Sequence, residues 1–230
     1  MVYMTKNTKK VCFHYVRHGK TLFNEIGRMQ GHCDSPLTQD GISQAYEARE
    51  ALKEVDLKRA YTSTSERCVD TAHIILEGRD VPLTYTKKLK EMFWGRYEGA
   101  LISQNREEID KRRLGSRDWK DVGGEDMQML KERLLDIFGE IYDEASDGDH
   151  ILIVSHGAVF LNMISLFFGY DLDGLLKLMR ENEEDFHPVR NGYAAEFVID
   201  EGRFELLDLK GHRKGLIEEW LKYPHNGICL

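Results

Sequence analysis

Apolar residues along this chain fall alternately into short continuous runs and into helical stripes. Val11 to Val16 is an apolar run that stops at Arg17-His18-Gly19, as a buried strand does where it opens into a loop. Within Asp34-Ser35-Pro36-Leu37-Thr38, Thr38 is placed to N-cap a helix and Leu37 to staple against Ile42, and Ile42, Ala45, Arg49 and Leu52 then follow helical spacing. Arg59 to Thr62 lies between two helical segments and is too short for one itself, so it reads as a strand. Ser63-Thr64-Ser65-Glu66 has the S-x-x-E pattern of a capping box. Val69, Ala72 and Leu76 give the stripe of the helix it would open, and Gly78 stops that helix. Val81 to Thr86 reads as a further strand.

Leu101 to Val122 is polar and charged with no clean period, and predicts an irregular or helical insertion at about 100–123. Met127, Leu130, Leu134, Ile137, Phe138 and Ile141 mark an amphipathic helix. His150 to Ser155 has the continuous apolar character of a strand buried on both faces, and Ala158 to Phe168 that of the helix after it. Ala194 to Ile199 and Phe204 to Leu209, separated by Asp200-Glu201-Gly202-Arg203, predict a β-hairpin closing one edge of the sheet. Strands alternating with helices predict an α/β domain whose mostly parallel sheet is covered on both faces. Residues 1–230 read as one domain, a length that suits this architecture.

Composition narrows the partners. A net charge of -8 gives no basic face for nucleic acid, so an anionic substrate would need a local basic pocket. Cys12, Cys33, Cys68 and Cys229 are scattered without a CxxC pair, which fits reduced thiols better than disulfides or a zinc site. Met1 to Lys10 carries lysines but no following apolar run of the signal-peptide kind. Ile151 to Phe168 is interrupted by Ser155, His156, Gly157 and Asn162, and reads as strand, turn and helix instead of a membrane span. A cytoplasmic protein with no membrane or nucleic-acid partner is expected.

Three of the predicted strands end in polar residues that a core would reject: Arg17-His18-Gly19, Thr62-Ser63 with Arg67 just beyond, and Ser155-His156-Gly157. The carboxyl ends of parallel strands face one crevice, so these groups can converge. Arg67 falls in the first turn of a helix whose amides and dipole favour an anion, and Arg17 adds a guanidinium able to grip phosphate oxygens in pairs. His18 is the better nucleophile candidate, because its loop can hold one ring nitrogen by a backbone carbonyl and leave the other lone pair free. Nearby positive charge keeps that imidazole neutral. His156 is then expected to donate to the transferring phosphoryl oxygens. Glu91, in an aromatic loop after a strand, is the expected general acid, its pKa raised by burial and by the phosphate anion; the same carboxylate would activate the hydrolytic water. Glu98 and Glu125, in neighbouring loops, compete with it for that role.

These residues resemble the histidine phosphatase superfamily, the phosphoglycerate mutase-like fold. The matching stretches are Val16-Arg17-His18-Gly19-Lys20-Thr21 with Asn24, Gln30-Gly31, Asp34-Ser35-Pro36-Leu37-Thr38, Ser63 to Ala72 around Arg67, Glu91 to Gly99, and Val154-Ser155-His156-Gly157. The resemblance covers about residues 11 to 210. It implies a three-layer αβα sandwich with a mostly parallel sheet and an antiparallel edge strand. It also implies phosphorylation of His18, phosphoryl binding by Arg17, Arg67 and His156, proton donation by Glu91, and a pocket shaped by Asn24, Gln30 and Gly31. Gly157 after His156, where another branch has Asp, is similar to the mutase and small-phosphatase branch.

Other residues read more plainly. Lys111-Arg112-Arg113 invites a second phosphate clamp, but Glu107, Glu108 and Asp110 alongside favour a solvated charged face. Met92, Phe93 and Trp94 either line the pocket or pack the loop down. His14, His73 and His150 have no partners at metal-ligand spacing and are assigned to structure, and His187, His212 and His225 carry no signal. No metal or cofactor is expected. The leading expectation is a phosphatase acting on a small phosphomonoester through a phosphohistidine on His18. A cofactor-dependent phosphoglycerate mutase is the rival, and a non-catalytic phosphate-binding or interaction module on the same fold the third reading. The sequence leaves the leaving alcohol and the oligomeric state open.

Overall fold

The computed structural model describes residues 9–174, 189–210 and 230, so His187, His212, His225 and Cys229 lie outside the described residues. In chain order the elements are strand β1 (Lys10–Arg17), helix α1 (Leu22–Glu25), α2 (Gln39–Ala51), β2 (Leu57–Ser63), α3 (Glu66–Leu76), β3 (Leu83–Thr86), α4 (Arg106–Leu114), α5 (Met127–Glu144), β4 (His150–Ser155), α6 (Gly157–Leu166), β5 (Gly192–Asp200) and β6 (Arg203–Leu209). The strands form one sheet in the order β3-β2-β4-β1-β5-β6. β3, β2, β4 and β1 run parallel; β5 pairs antiparallel with β1, and β6 antiparallel with β5 at the edge. The antiparallel margin is therefore the expected hairpin, and the reversed strand β5 lies one place in from the edge.

Alternation along the strands decides the layers. Val11, Phe13, Tyr15, Ile151 and Ile153 point to one face, where α5 and α6 bring Leu134, Phe138, Ile141, Val159, Phe160 and Met163. Val16, Leu152, Val154, Leu57 and Ala60 point to the other, against Ala48 of α2, Leu52 just after that helix, and Cys68, Ala72 and Ile75 of α3. Apolar layers on both sides of the sheet explain why its central strands read as unbroken apolar runs.

Two of the longer helices start where a side chain caps them. Thr38 caps α2 by accepting from the Gly41 amide at 3.1 Å, and Asp126 caps α5 from Met129 at 2.7 Å. The capping box expected at Ser63-Thr64-Ser65-Glu66 does not form: α3 begins at Glu66, its N-cap Ser65 makes no side-chain cap bond, and Ser63 ends β2. β3 begins at Leu83 and not at Val81, since Pro82 has no N–H for the ladder; its carbonyl still accepts from Ala60 at 2.9 Å. The insertion carries α4 and a short 3-10 turn, Lys120–Val122.

Register places the chemistry. Arg17 of β1 pairs with Ser155 of β4, and Thr62 of β2 with Val154, so the three polar strand ends lie side by side. The loop leaving β1 then packs on the first turn of α2 at backbone distance. A Cβ on Gly19 would sit 2.2 Å from the Gly41 carbonyl oxygen, and one on Gly41 would sit 2.1 Å from that of Lys20. Backbone cannot yield there as a side chain can, so Gly41→Ala should cost about 2 kcal/mol. Its thermal midpoint should fall by several degrees, and an unchanged midpoint would show that the two segments separate freely.

Candidate active site

His18 stands at the C-terminal end of β1, its backbone pinned on three sides. Its amide donates to the Ser155 carbonyl at 3.0 Å, its carbonyl accepts from Asn191 Nδ2 at 2.7 Å, and the next amide, of Gly19, donates to Thr71 Oγ1 at 3.1 Å. The ring Nδ1 lies 2.8 Å from the Gly19 carbonyl, which can only accept, so Nδ1 carries the proton and Nε2 keeps its lone pair. Burial pushes the imidazole well below its usual pKa, and the charges of Arg67 and Arg17 push the same way. A neutral ring with a free Nε2 is what a nucleophile at this position requires.

Arg67 projects from the first turn of α3 and is 0% exposed. Nη1 donates to Asp34 Oδ1 at 2.7 Å and to the Cys33 carbonyl at 3.1 Å; Nη2 donates to the Gly31 carbonyl at 2.8 Å and to His156 Nδ1 at 3.0 Å. All four Nη hydrogens thus have acceptors, whereas Nε is buried without one. Arg17 shares the open Nε: Nη1 donates to the Val189 carbonyl at 2.7 Å and the buried Nε has no partner. Its guanidinium lies against the start of α6, where a Cβ on Gly157 would come within 3.0 Å of Nε. Two buried guanidinium N–H groups without acceptors make a receptor for an anion. Arg67 thus offers an anion one free donor on a guanidinium already fastened to the fold.

A guanidinium only donates, so His156 Nδ1 accepts from Arg67 and the proton sits on Nε2, which donates to Ser63 Oγ at 2.8 Å. Burial, then Arg67 and His18, hold this ring well below the usual imidazole range. The His156 ring stands 5.3 Å from that of His18, edge to face. Both of its nitrogens are engaged within the protein, so the expected bond to a phosphoryl oxygen would have to replace the one to Ser63.

Glu91 caps α6 from outside. Its carboxylate accepts from Val159 at 3.1 Å and Ala158 at 3.0 Å, both in the first turn of that helix, and from Met92 at 2.9 Å. Burial raises its pKa and outweighs these amides and the two arginines, which favour the ionised form. The competitors are otherwise committed. Glu98 holds the loop before Asp34 through the amides of His32 and Cys33 at 3.1 and 2.8 Å, and Glu125 makes a two-point ion pair with Arg133 at 2.6 and 2.9 Å.

The remaining expected residues separate. Asn24 is exposed and serves α1, accepting from the Thr21 amide at 3.1 Å. Gln30 Oε1 accepts from Thr21 Oγ1 at 2.6 Å while its amide nitrogen donates to Ser35, so it braces the loop, and Gly31 contributes its carbonyl to Arg67. Met92 and Trp94 are buried and pack the loop down, with Trp94 edge-on to Trp119 at 4.9 Å; Phe93 stays half-buried beside His32 at 5.0 Å. The basic trio divides too. Arg112 pairs with Asp121 at 2.6 and 2.8 Å and with Glu108 at 2.9 Å, as a structural ion pair does. Arg113 reaches across to Met29 Sδ at 3.0 Å. Its side chain is exposed, and the Glu91 charge is near enough to bear on it. Asp34 and Asn191 are site residues that the sequence does not single out, and Ser63, legible as a polar strand end, is read there as a cap. Asp34 stands in a recognisable motif, but Asn191 has no local signal.

Among the described residues no group of three His, Cys, Asp or Glu could hold a metal ion, and no helix is long and apolar enough to cross a membrane. Residues 13–185 match the histidine phosphatase superfamily (branch 1). The adenosylcobalamin/alpha-ribazole phosphatase of Salmonella typhimurium is 34% identical over 154 residues, 65% of this chain and 76% of that one. A probable phosphoglycerate mutase, GpmB of Salmonella paratyphi A, is 33% identical over 158 residues, 67% of this chain and 73% of that one. The solved structure of Bacillus stearothermophilus YhfR superposes with a TM-score of 0.74 at 28% identity, over 90% of this chain and 99% of the other. With its sheet order, its arginine-lined strand ends and these relatives in agreement, the chain belongs to the histidine phosphatase superfamily, branch 1.

Proposed function

We propose that the protein hydrolyses a small phosphomonoester through a phosphohistidine on His18. The observation that carries this reading is a neutral His18 with its Nε2 lone pair free, set beside two buried arginines whose Nε–H groups have no acceptor. The His18 Nε2 lone pair forms the N–P bond as the P–O bond to the alcohol breaks, and Arg17 and Arg67 take up the charge on the equatorial oxygens. Glu91 gives its proton to the departing alkoxide. It then removes one from water, which breaks the N–P bond and releases inorganic phosphate, returning both side chains to their starting states.

The two pKa shifts serve this cycle. With ordinary values near 4.5 for Glu and 6.5 for His, a protonated Glu91 and a neutral His18 would scarcely coexist. Burial raises the carboxyl and lowers the imidazole, so both shifts favour the coexistence of the two forms. Turnover should rise with pH through the depressed pKa of His18 and fall through the raised pKa of Glu91. Glu91→Gln should lose the alkaline limb. It should also lose about 100-fold in kcat on alkyl phosphates, and much less on 4-nitrophenyl phosphate, whose leaving group needs no proton. Equal losses on both substrates would remove Glu91 from the role.

Phosphatase is preferred to mutase because the residues after Glu91 are Met92, Phe93 and Trp94, of which Met92 and Trp94 are buried in packing the loop, and none brings a cation to a second acidic group. Arg113, a cation whose field reaches Glu91, is the observation that favours the mutase reading. Rapid quenching during turnover tests the whole scheme. Label should survive alkali on His18, disappear in acid, and be absent with turnover in His18→Ala. Hydrolysis of the best monoester should exceed interconversion of 3- and 2-phosphoglycerate by at least about tenfold, or roughly 1.4 kcal/mol of barrier. Active His18→Ala would end the phosphohistidine mechanism, and mutase turnover equal to hydrolysis would replace the phosphatase.

A further inference from the structure

Ser63 stands where a capping box was expected and does not cap. Its hydroxyl accepts from His156 Nε2 at 2.8 Å, accepts from the Ser65 amide at 3.3 Å, and donates to Ser65 Oγ at 3.4 Å. The turn into α3 therefore aims an oxygen lone pair at the imidazole. The helix is capped from elsewhere, since the Glu66 amide donates to Asp34 Oδ2 at 2.6 Å. Asp34 is also the carboxylate partner of Arg67, so a chain of bonds runs from Ser63 through His156 and Arg67 to Asp34.

Every other group at the ring leaves the Nε2 proton to Ser63. Cys68 Sγ lies 3.5 Å away, but its hydrogen is directed to the Ser155 carbonyl and sulfur is a weak acceptor. Tyr15 Oη is occupied with the His156 backbone, accepting from its amide at 3.2 Å and donating to its carbonyl at 2.8 Å. Arg67, His18, Arg133 and Arg17 are the charged or titratable neighbours that bear on the ring; the arginines only donate, and the free lone pair of His18 makes no hydrogen bond to His156.

We propose that Ser63 is a positioning residue: by accepting the Nε2 proton it holds His156 so that Nδ1 faces Arg67, and so keeps the Arg67 Nε–H directed into the phosphoryl pocket. This role rests on the phosphohistidine reading of the pocket. Without the hydroxyl, a buried N–H loses its only strong acceptor, the ring turns to find another, and Arg67 loses one of its four anchors.

Nitrogen-15 spectra of histidine-labelled whole protein at neutral pH should show His156 with Nδ1 unprotonated and an Nε2 proton protected from exchange. Ser63→Ala should abolish that protection and lower kcat/KM at least about tenfold, while Ser63→Thr, which keeps the hydroxyl, should restore both. A folded Ser63→Ala with wild-type kcat/KM would overturn the proposal. So would a wild-type His156 protonated on Nδ1, which decides the matter even where the alanine variant fails to fold. An inactive Ser63→Thr that retains the protected Nε2 proton would likewise overturn it, showing that packing and not the hydroxyl matters. The spectrum needs no turnover: a wild-type protein that shows the expected tautomer but hydrolyses no monoester defeats the phosphatase reading alone.

Discussion

The arrangement depends on burying the charge of Arg67. A guanidinium taken wholly out of water is tolerable only when its hydrogens find acceptors and its charge a partner. Meeting that demand draws Gly31, Cys33 and Asp34 from one loop and His156 from another onto one side chain. The 31–34 loop is held to the Glu91–Gly99 loop by Glu98 and by the Met29 and Gly99 backbone pair at 2.9 Å. The charge of one arginine thus orders four segments that are distant in sequence. Asp34 offsets much of that charge, and what the pocket keeps is a directed N–H.

Desolvation supplies the second half of the chemistry. One cause acts in opposite directions on an acid and a base, raising Glu91 and lowering His18, because in each it penalises the charged form. The arginines lower both, so they assist His18 and oppose Glu91. A bound phosphoryl group would restore the balance, since its negative charge raises Glu91. The three amides on the Glu91 carboxylate oppose the rise that burial causes, and a bound phosphoryl anion would add to that rise. In the proposed cycle the acid is readied by the anion it will act on.

Much of this was legible in the sequence for a physical reason. Arg17-His18-Gly19 and Ser155-His156-Gly157 interrupt apolar runs, and polar residues at the ends of buried strands are conspicuous. The helix after Thr38 announced itself by a residue that caps locally, and the one from Met127 by its apolar stripe. Long-range pairing left no such trace: nothing near Asn191 points to the His18 carbonyl, and nothing in Lys111-Arg112-Arg113 tells which arginine faces Asp121 and which faces Met29. The carboxylates at positions 91, 98 and 125 could not be ranked by spacing either. Their separation came from the amides and the arginine that each one holds.

The misreading at Ser63 is instructive because the local rule was sound. Ser63 and Glu66 satisfy a capping box, and in an isolated peptide that pairing would compete well. Here the hydroxyl is worth more to a buried imidazole than to a helix end, because an unmet N–H in the interior carries the larger penalty whereas α3 can be capped by a carboxylate already present for Arg67. One carboxylate, Asp34, therefore does two tasks and frees a serine for a third. Sequence rules of this kind fail where a site has redirected the residues they count, so a broken capping box beside a strand end is itself a sign of where the chemistry lies.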